Sequence, residues 1–101
     1  MAGTPPYLKP LDQKDPEFCK LVLAVTGVVD APGALDAKTK VLMSLLGDAI
    51  LNHGEGVAAL AGRARQLGAT EQEIAETVRM AFMAGGLPAL ITALNAFRPP
   101  A

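Results

Sequence analysis

Gly68-Ala69-Thr70-Glu71-Gln72-Glu73-Ile74-Ala75-Glu76 carries the sharpest local signal in the chain. Thr70 followed three residues later by Glu73 is a capping box. The threonine hydroxyl accepts from the Glu73 amide, and the Glu73 carboxylate accepts from the Thr70 amide. Gly68 closes one helix just before the box, and Ile74, Val78, Ala81 and Phe82 give the next one an apolar stripe at helical spacing. The pair Gly85-Gly86 predicts the end of that helix. Pro88 opens another, with Leu90, Ile91, Leu94 and Phe97 on its inner face.

The same signals repeat upstream. Asp15 is a good N-cap, Pro16 suits the first helical position, and Glu17 suits the positive end of the helix dipole. Phe18, Leu21, Val22, Val25 and Val28 form the stripe of this first helix, which Asp30-Ala31-Pro32-Gly33 stops. Asp36 caps a second helix reaching Leu51, with Val41, Leu42, Leu45, Leu46, Ala49 and Ile50 facing inward. Asn52-His53-Gly54 reads as its end, with Gly54 as the residue able to take positive φ. A third helix over 55–67 carries Val57, Leu60, Ala61, Ala64 and Leu67, mostly small residues that let a partner helix approach closely. Pro5, Pro6 and Pro10 predict an extended arm over residues 1–14, ahead of a single helical domain over 15–98. No period-two alternation is long enough for a strand, so the fold class is all-α with about five helices.

Composition narrows the function. A chain of 101 residues fits one domain. With Lys plus Arg 9 and Asp plus Glu 10, it lacks the basic excess of a nucleic-acid binder. Half its residues are apolar, too many for a disordered tail. A lone cysteine, Cys19, excludes an internal disulfide framework and a cysteine zinc site; it reads as a small buried hydrophobe in a reducing, cytoplasmic setting. The start of the chain has no basic segment leading into an apolar run, so no signal peptide is expected. Residues 80–97 are uncharged, but Gly85, Gly86 and Pro88 interrupt them. They read as two short buried helices rather than a membrane span.

Three segments together resemble the carboxymuconolactone decarboxylase family, which includes the alkylhydroperoxidase D-like proteins. They are Leu35-Asp36-Ala37-Lys38-Thr39-Lys40, then Gly68-Ala69-Thr70 with Glu73-Ile74-Ala75-Glu76, then Gly85-Gly86-Leu87-Pro88-Ala89. Order and spacing agree over about residues 35–97. The resemblance implies a helical protomer that assembles into trimers, hexamers or related rings. Peroxidase members carry a Glu in the central helix, then a Cys-x-x-Cys pair, then a His four residues on. A thiolate attacks the peroxide, a second thiol resolves the product, and Glu and His move the proton. Counted back from Gly68, the Glu position falls on Val41, the first Cys on His53, the second on Gly56 and the His on Leu60. All four depart from the pattern. Members that act as decarboxylases lack the cysteine pair but keep a His where this chain has Leu60.

His53, the only histidine, is the leading candidate for chemistry. It could accept a proton with Asp48 or Glu55 nearby, bind an anion at the next helix's free amides, or hold a metal shared around an oligomer axis. Its plain role is a solvated ring at a helix end. Asp48 is either a pocket carboxylate or part of a polar stripe with Ser44 and Asn52. Arg63, Arg65 and Arg79 either line an anion pocket or belong to a mixed solvated surface. Neither a cofactor nor a metal site within one chain is indicated. The leading expectation is a non-peroxidase homo-oligomer that binds a small molecule or a partner, with no nucleic acid and no membrane. The alternatives are an enzyme using His53 as proton acceptor, or a structural subunit.

Overall fold

The computed structural model describes residues 3–99. After a 3-10 turn at Pro6–Leu8 come α1 (Lys9–Lys14), α2 (Pro16–Asp30), α3 (Ala37–Ile50), α4 (Gly54–Gln66) and α5 (Glu71–Ala93), then a 3-10 turn at Leu94–Phe97. No strand occurs among the described residues, and the all-α class holds. The chain divides between Pro32 and Gly33 into two compact units.

The first unit corrects the expected extended arm. Within that arm residues 6–14 are helical, and residues 1 and 2 lie outside the described residues. Pro6 opens the 3-10 turn and Pro10 sits in the first turn of α1. There a backbone N–H has no helical acceptor to lose, so proline starts a helix instead of preventing one. Asp15 caps α2 as expected, accepting from the Phe18 amide at 3.1 Å. Cys19 is the buried side chain of α2. Its burial, reinforced by the charges of Asp12 and Asp15, raises the thiol pKa. The predicted apolar stripe is not an interior one: Phe18, Leu21, Val25 and Val28 remain more than half exposed, and Val22 is only half-buried.

In the second unit α3 packs against α5 and α4, and the closing 3-10 turn packs against α4. Leu45, Ala49, Val57, Ala61, Ala64, Ile74, Val78, Ala81, Ala89, Ala93 and Ala96 form the core, with Val41, Leu42, Leu46, Leu60 and Leu90 against it. Phe82, Ile91, Leu94 and Phe97, expected inside, are about half exposed. Alanines of the same segments take the interior because the helices approach too closely for larger side chains. At Gly85 even a methyl group would lie 2.6 Å from the Ala89 Cβ and 3.3 Å from Ile50 Cγ1.

The capping box forms as expected, with Thr70 N–H to Glu73 Oε1 at 2.8 Å and Glu73 N–H to Thr70 Oγ1 at 3.0 Å. Glu73 also pairs with Lys38 at 2.8 Å, tying α5 to α3. That bond raises the Lys38 pKa and, together with the Thr70 amide, lowers that of Glu73. Gly85-Gly86 does not end the helix. It is a kink inside α5, where Gly86 takes φ 76° and ψ −164°, a region essentially reserved for glycine. Pro88 then restarts the helical path. Glu71–Phe97 is long and apolar enough to cross a membrane by length and composition. In this fold it supplies Ile74, Val78, Ala81, Ala89, Ala93 and Ala96 to the core.

Candidate functional site around His53

The joint between α3 and α4 builds this site. Asn52, not Gly54, takes the left-handed conformation, with φ 63°. Asparagine tolerates it better than most side chains. Asn52 N–H then reaches the Ala49 carbonyl at 3.2 Å and His53 N–H reaches the Asp48 carbonyl at 2.8 Å. This is a Schellman closure, and the one around Gly68 repeats it, with Ala69 N–H on the Ala64 carbonyl at 2.9 Å. His53 becomes the N-cap of α4 without capping it by its side chain, and its carbonyl accepts from Val57 N–H at 3.0 Å. Gly54 is helical. A Cβ there would lie 2.9 Å from Asn95 Nδ2, so that side chain would have to shift to admit one.

The fold does bring His53 and Asp48 together. His53 Nδ1 lies 3.6 Å from Asp48 Oδ1, slightly beyond a hydrogen bond, with side-chain exposures of 62% and 30%. The Asp48 carboxylate also lies against Gly56, where a Cβ would collide with it. It therefore sits beside the first turn of α4, where negative charge is favoured by the helix dipole. Chemically the pair offers an imidazole with one nitrogen facing a carboxylate and a ring open to solvent. That arrangement can orient a histidine for proton transfer, and it contains no thiol.

Glu55 is not part of this pair. It accepts two hydrogen bonds from Arg98, at 3.0 and 3.2 Å, which lower its pKa. Arg65 is likewise engaged, donating to both Glu71 oxygens at 2.8 and 2.9 Å and to the Ala96 carbonyl at 2.8 Å. Both pairs line one open cavity of about 1000 Å³, which α4 shares with Phe97 and Pro99. Arg63 and Arg79 are exposed, as a solvated mixed surface requires. Val41 and Leu60 pack against the core. No group of three His, Cys, Asp or Glu able to hold a metal occurs among the described residues.

Two polar residues near the joint, Thr92 and Asn95, escaped the sequence reading of the site. Thr92 Oγ1 lies 3.1 Å from both Asn52 Oδ1 and the Pro88 carbonyl, and Asn95 Nδ2 donates to the Thr92 carbonyl at 2.8 Å. They fasten the part of α5 beyond the kink to the turn carrying His53. The one available signal was two polar residues in an otherwise uncharged, apolar stretch.

No curated protein sequence matches the chain. Its fold is similar to the crystal structure of an apo carboxymuconolactone decarboxylase family protein from Legionella pneumophila. The TM-score is 0.82 at 28% identity, over 89% of this chain and 80% of that one. The carboxymuconolactone decarboxylase family matches residues 16–99, which take in α2 through the last 3-10 turn and the whole His53 joint. A match of that extent, carried by a helical backbone shared with a solved family protein, makes this chain a member of the carboxymuconolactone decarboxylase family.

Proposed function

We propose that this chain is a non-peroxidase member of its family, a homo-oligomer that binds a small molecule or a protein partner. One observation carries the reading. Where the family's redox pattern needs an acid, two thiols and a proton shuttle, the chain has Val41, His53, Gly56 and Leu60. Val41 and Leu60 are packed as aliphatic filler, and the space a side chain at residue 56 would need holds the Asp48 carboxylate. Neither aliphatic group can carry a proton. Cys19, the only thiol, is buried with a raised pKa, so little of it is thiolate. Assembly is supported by the number of large apolar side chains left exposed, including Val28, Met83, Leu87 and Ile91.

The test is hydroperoxide consumption with a dithiol donor. Consumption is expected to equal the protein-free blank. Turnover that His53→Ala abolishes would overturn the reading. It would favour the second one, in which His53, oriented by Asp48 at 3.6 Å, moves a proton on a small organic substrate.

A further inference from the structure

We infer that Gly56 is a positioning residue for His53: lacking a side chain, it admits the Asp48 carboxylate beside the ring, which holds the imidazole proton on Nδ1 and leaves Nε2 as the basic atom. This rests on the reading in which His53 moves a proton, and it names the atom that takes it. Gly56 lies in the first turn of α4 and its φ is not positive, so its backbone does not call for glycine. Alanine is the better helix former at such a position. Space calls for glycine instead. The three atoms nearest to a Cβ built at residue 56 all belong to Asp48: Oδ2, which it would overlap, Cγ at 3.0 Å and Cβ at 3.6 Å. Gly47 and Gly62, on the same two helices, meet nothing within 4 Å.

From that space Asp48 Oδ1 faces His53 Nδ1 at 3.6 Å. A small torsion of either side chain closes the remaining ~0.5 Å to a hydrogen bond. An ionised carboxylate only accepts, so the ring presents its N–H at Nδ1 and its lone pair at Nε2. Glu55 does not compete for the ring, because Arg98 donates to both of its oxygens. The ring is 62% exposed, which leaves Nε2 for an acidic C–H or O–H of a bound molecule. In that step Nε2 takes the proton and the imidazole becomes a cation beside Asp48. The substrate keeps the electron pair as an enolate or alkoxide.

His53 is the only histidine, so its ring nitrogens are read without ambiguity in long-range proton–nitrogen NMR spectra of the labelled full chain. Spectra are taken at about pH 9, well above the ordinary histidine range. The native chain is expected to be mostly the Nδ1–H tautomer. Asp48→Ala and Gly56→Ala are each expected to switch it to the Nε2–H form that a solvated imidazole prefers, and Gly62→Ala to leave it unchanged. Thermal melts supply the second measurement. Gly56→Ala is expected to lower Tm in the native chain but not in the Asp48→Ala background, where the space is free. A native chain that is mostly Nε2–H overturns the role of Asp48. A folded Gly56→Ala that keeps the native tautomer overturns the role of Gly56. So does a double variant that loses as much Tm relative to Asp48→Ala as Gly56→Ala loses relative to the native chain, or that fails to fold. All of these are read from the resting protein, so they stand or fall separately from the turnover assay that tests proton transfer itself.

Discussion

The two compact units solve the burial problem in opposite ways. Residues 33–99 place a cluster of alanines and a few branched side chains at zero or near-zero exposure. Residues 3–32 bury Cys19 and leave Phe18, Leu21, Val25, Val28 and Val29 exposed on a helix with no charge between Lys20 and Asp30. The second unit is held by its interior and by ion pairs between its elements; the first pairs α1 with α2. Periodicity alone does not distinguish them, because an apolar stripe looks the same whether it faces a core or awaits a cover.

The strongest way to break this contrast is to hollow out the second unit. Leu45→Ala is expected to lower its stability by about 2–5 kcal/mol in urea unfolding, the range for cavities at fully buried leucines. A loss below about 1 kcal/mol would mean that the alanine-rich interior is not what holds the unit. Matched glycine substitutions sharpen the comparison. Gly86→Ala, at φ 76°, should cost about 1–3 kcal/mol. Gly27→Ala, in α2 with nothing within 4 Å of its Cβ, should gain about 0.5–1 kcal/mol. Equal effects would put backbone strain at the wrong place.

Thr70→Ala should cost about 1 kcal/mol by opening the capping box; an unchanged urea midpoint would show the cap to be replaceable. Acid titration reads the smallest effect. Glu73, Glu71 and Glu55 have pKa values lowered by Lys38, Arg65 and Arg98. A carboxyl more acidic when folded stabilises the fold above the ordinary glutamate range and loses that contribution as pH falls through its lowered value. Tm should therefore drop in that window, modestly because these pairs are solvent-exposed, and the drop should shrink in Lys38→Met. A Tm that stays flat through the acid limb would argue that the pairs contribute nothing.

The three N-caps at Asp15, Asp36 and Thr70 and the kink region were legible because each depends on contacts within a few residues, whereas the count of five agrees only because α1 was missed and two helices were expected where α5 is one. The inward face of α5 was not. Size favours Phe82, Ile91 and Leu94 for the interior, but the close approach of α3 selects Ala81, Ala89 and Ala93. The N-terminal prolines were misjudged because the same fixed φ suits an extended arm and a helix start. At the candidate site the neighbourhood of His53, Asp48 and Glu55 was visible because the three lie within a few residues of one helix end, but which acid stands beside the ring was not, since Arg98 takes Glu55. Asn52 and Thr92 lie forty positions apart, and nothing local announces their contact.

The doubled closure at the α3–α4 joint has a consequence for how chemistry is displayed there. His53 N–H donates to the Asp48 backbone carbonyl and the His53 carbonyl accepts from Val57 N–H, so both peptide groups are fixed before any side chain is considered. Whatever occupies position 53 hangs from an anchored pedestal and keeps only its own torsions, which limits the ordering entropy a bound molecule must overcome. A joint of this kind accepts an exchange of its displayed side chain without being rebuilt.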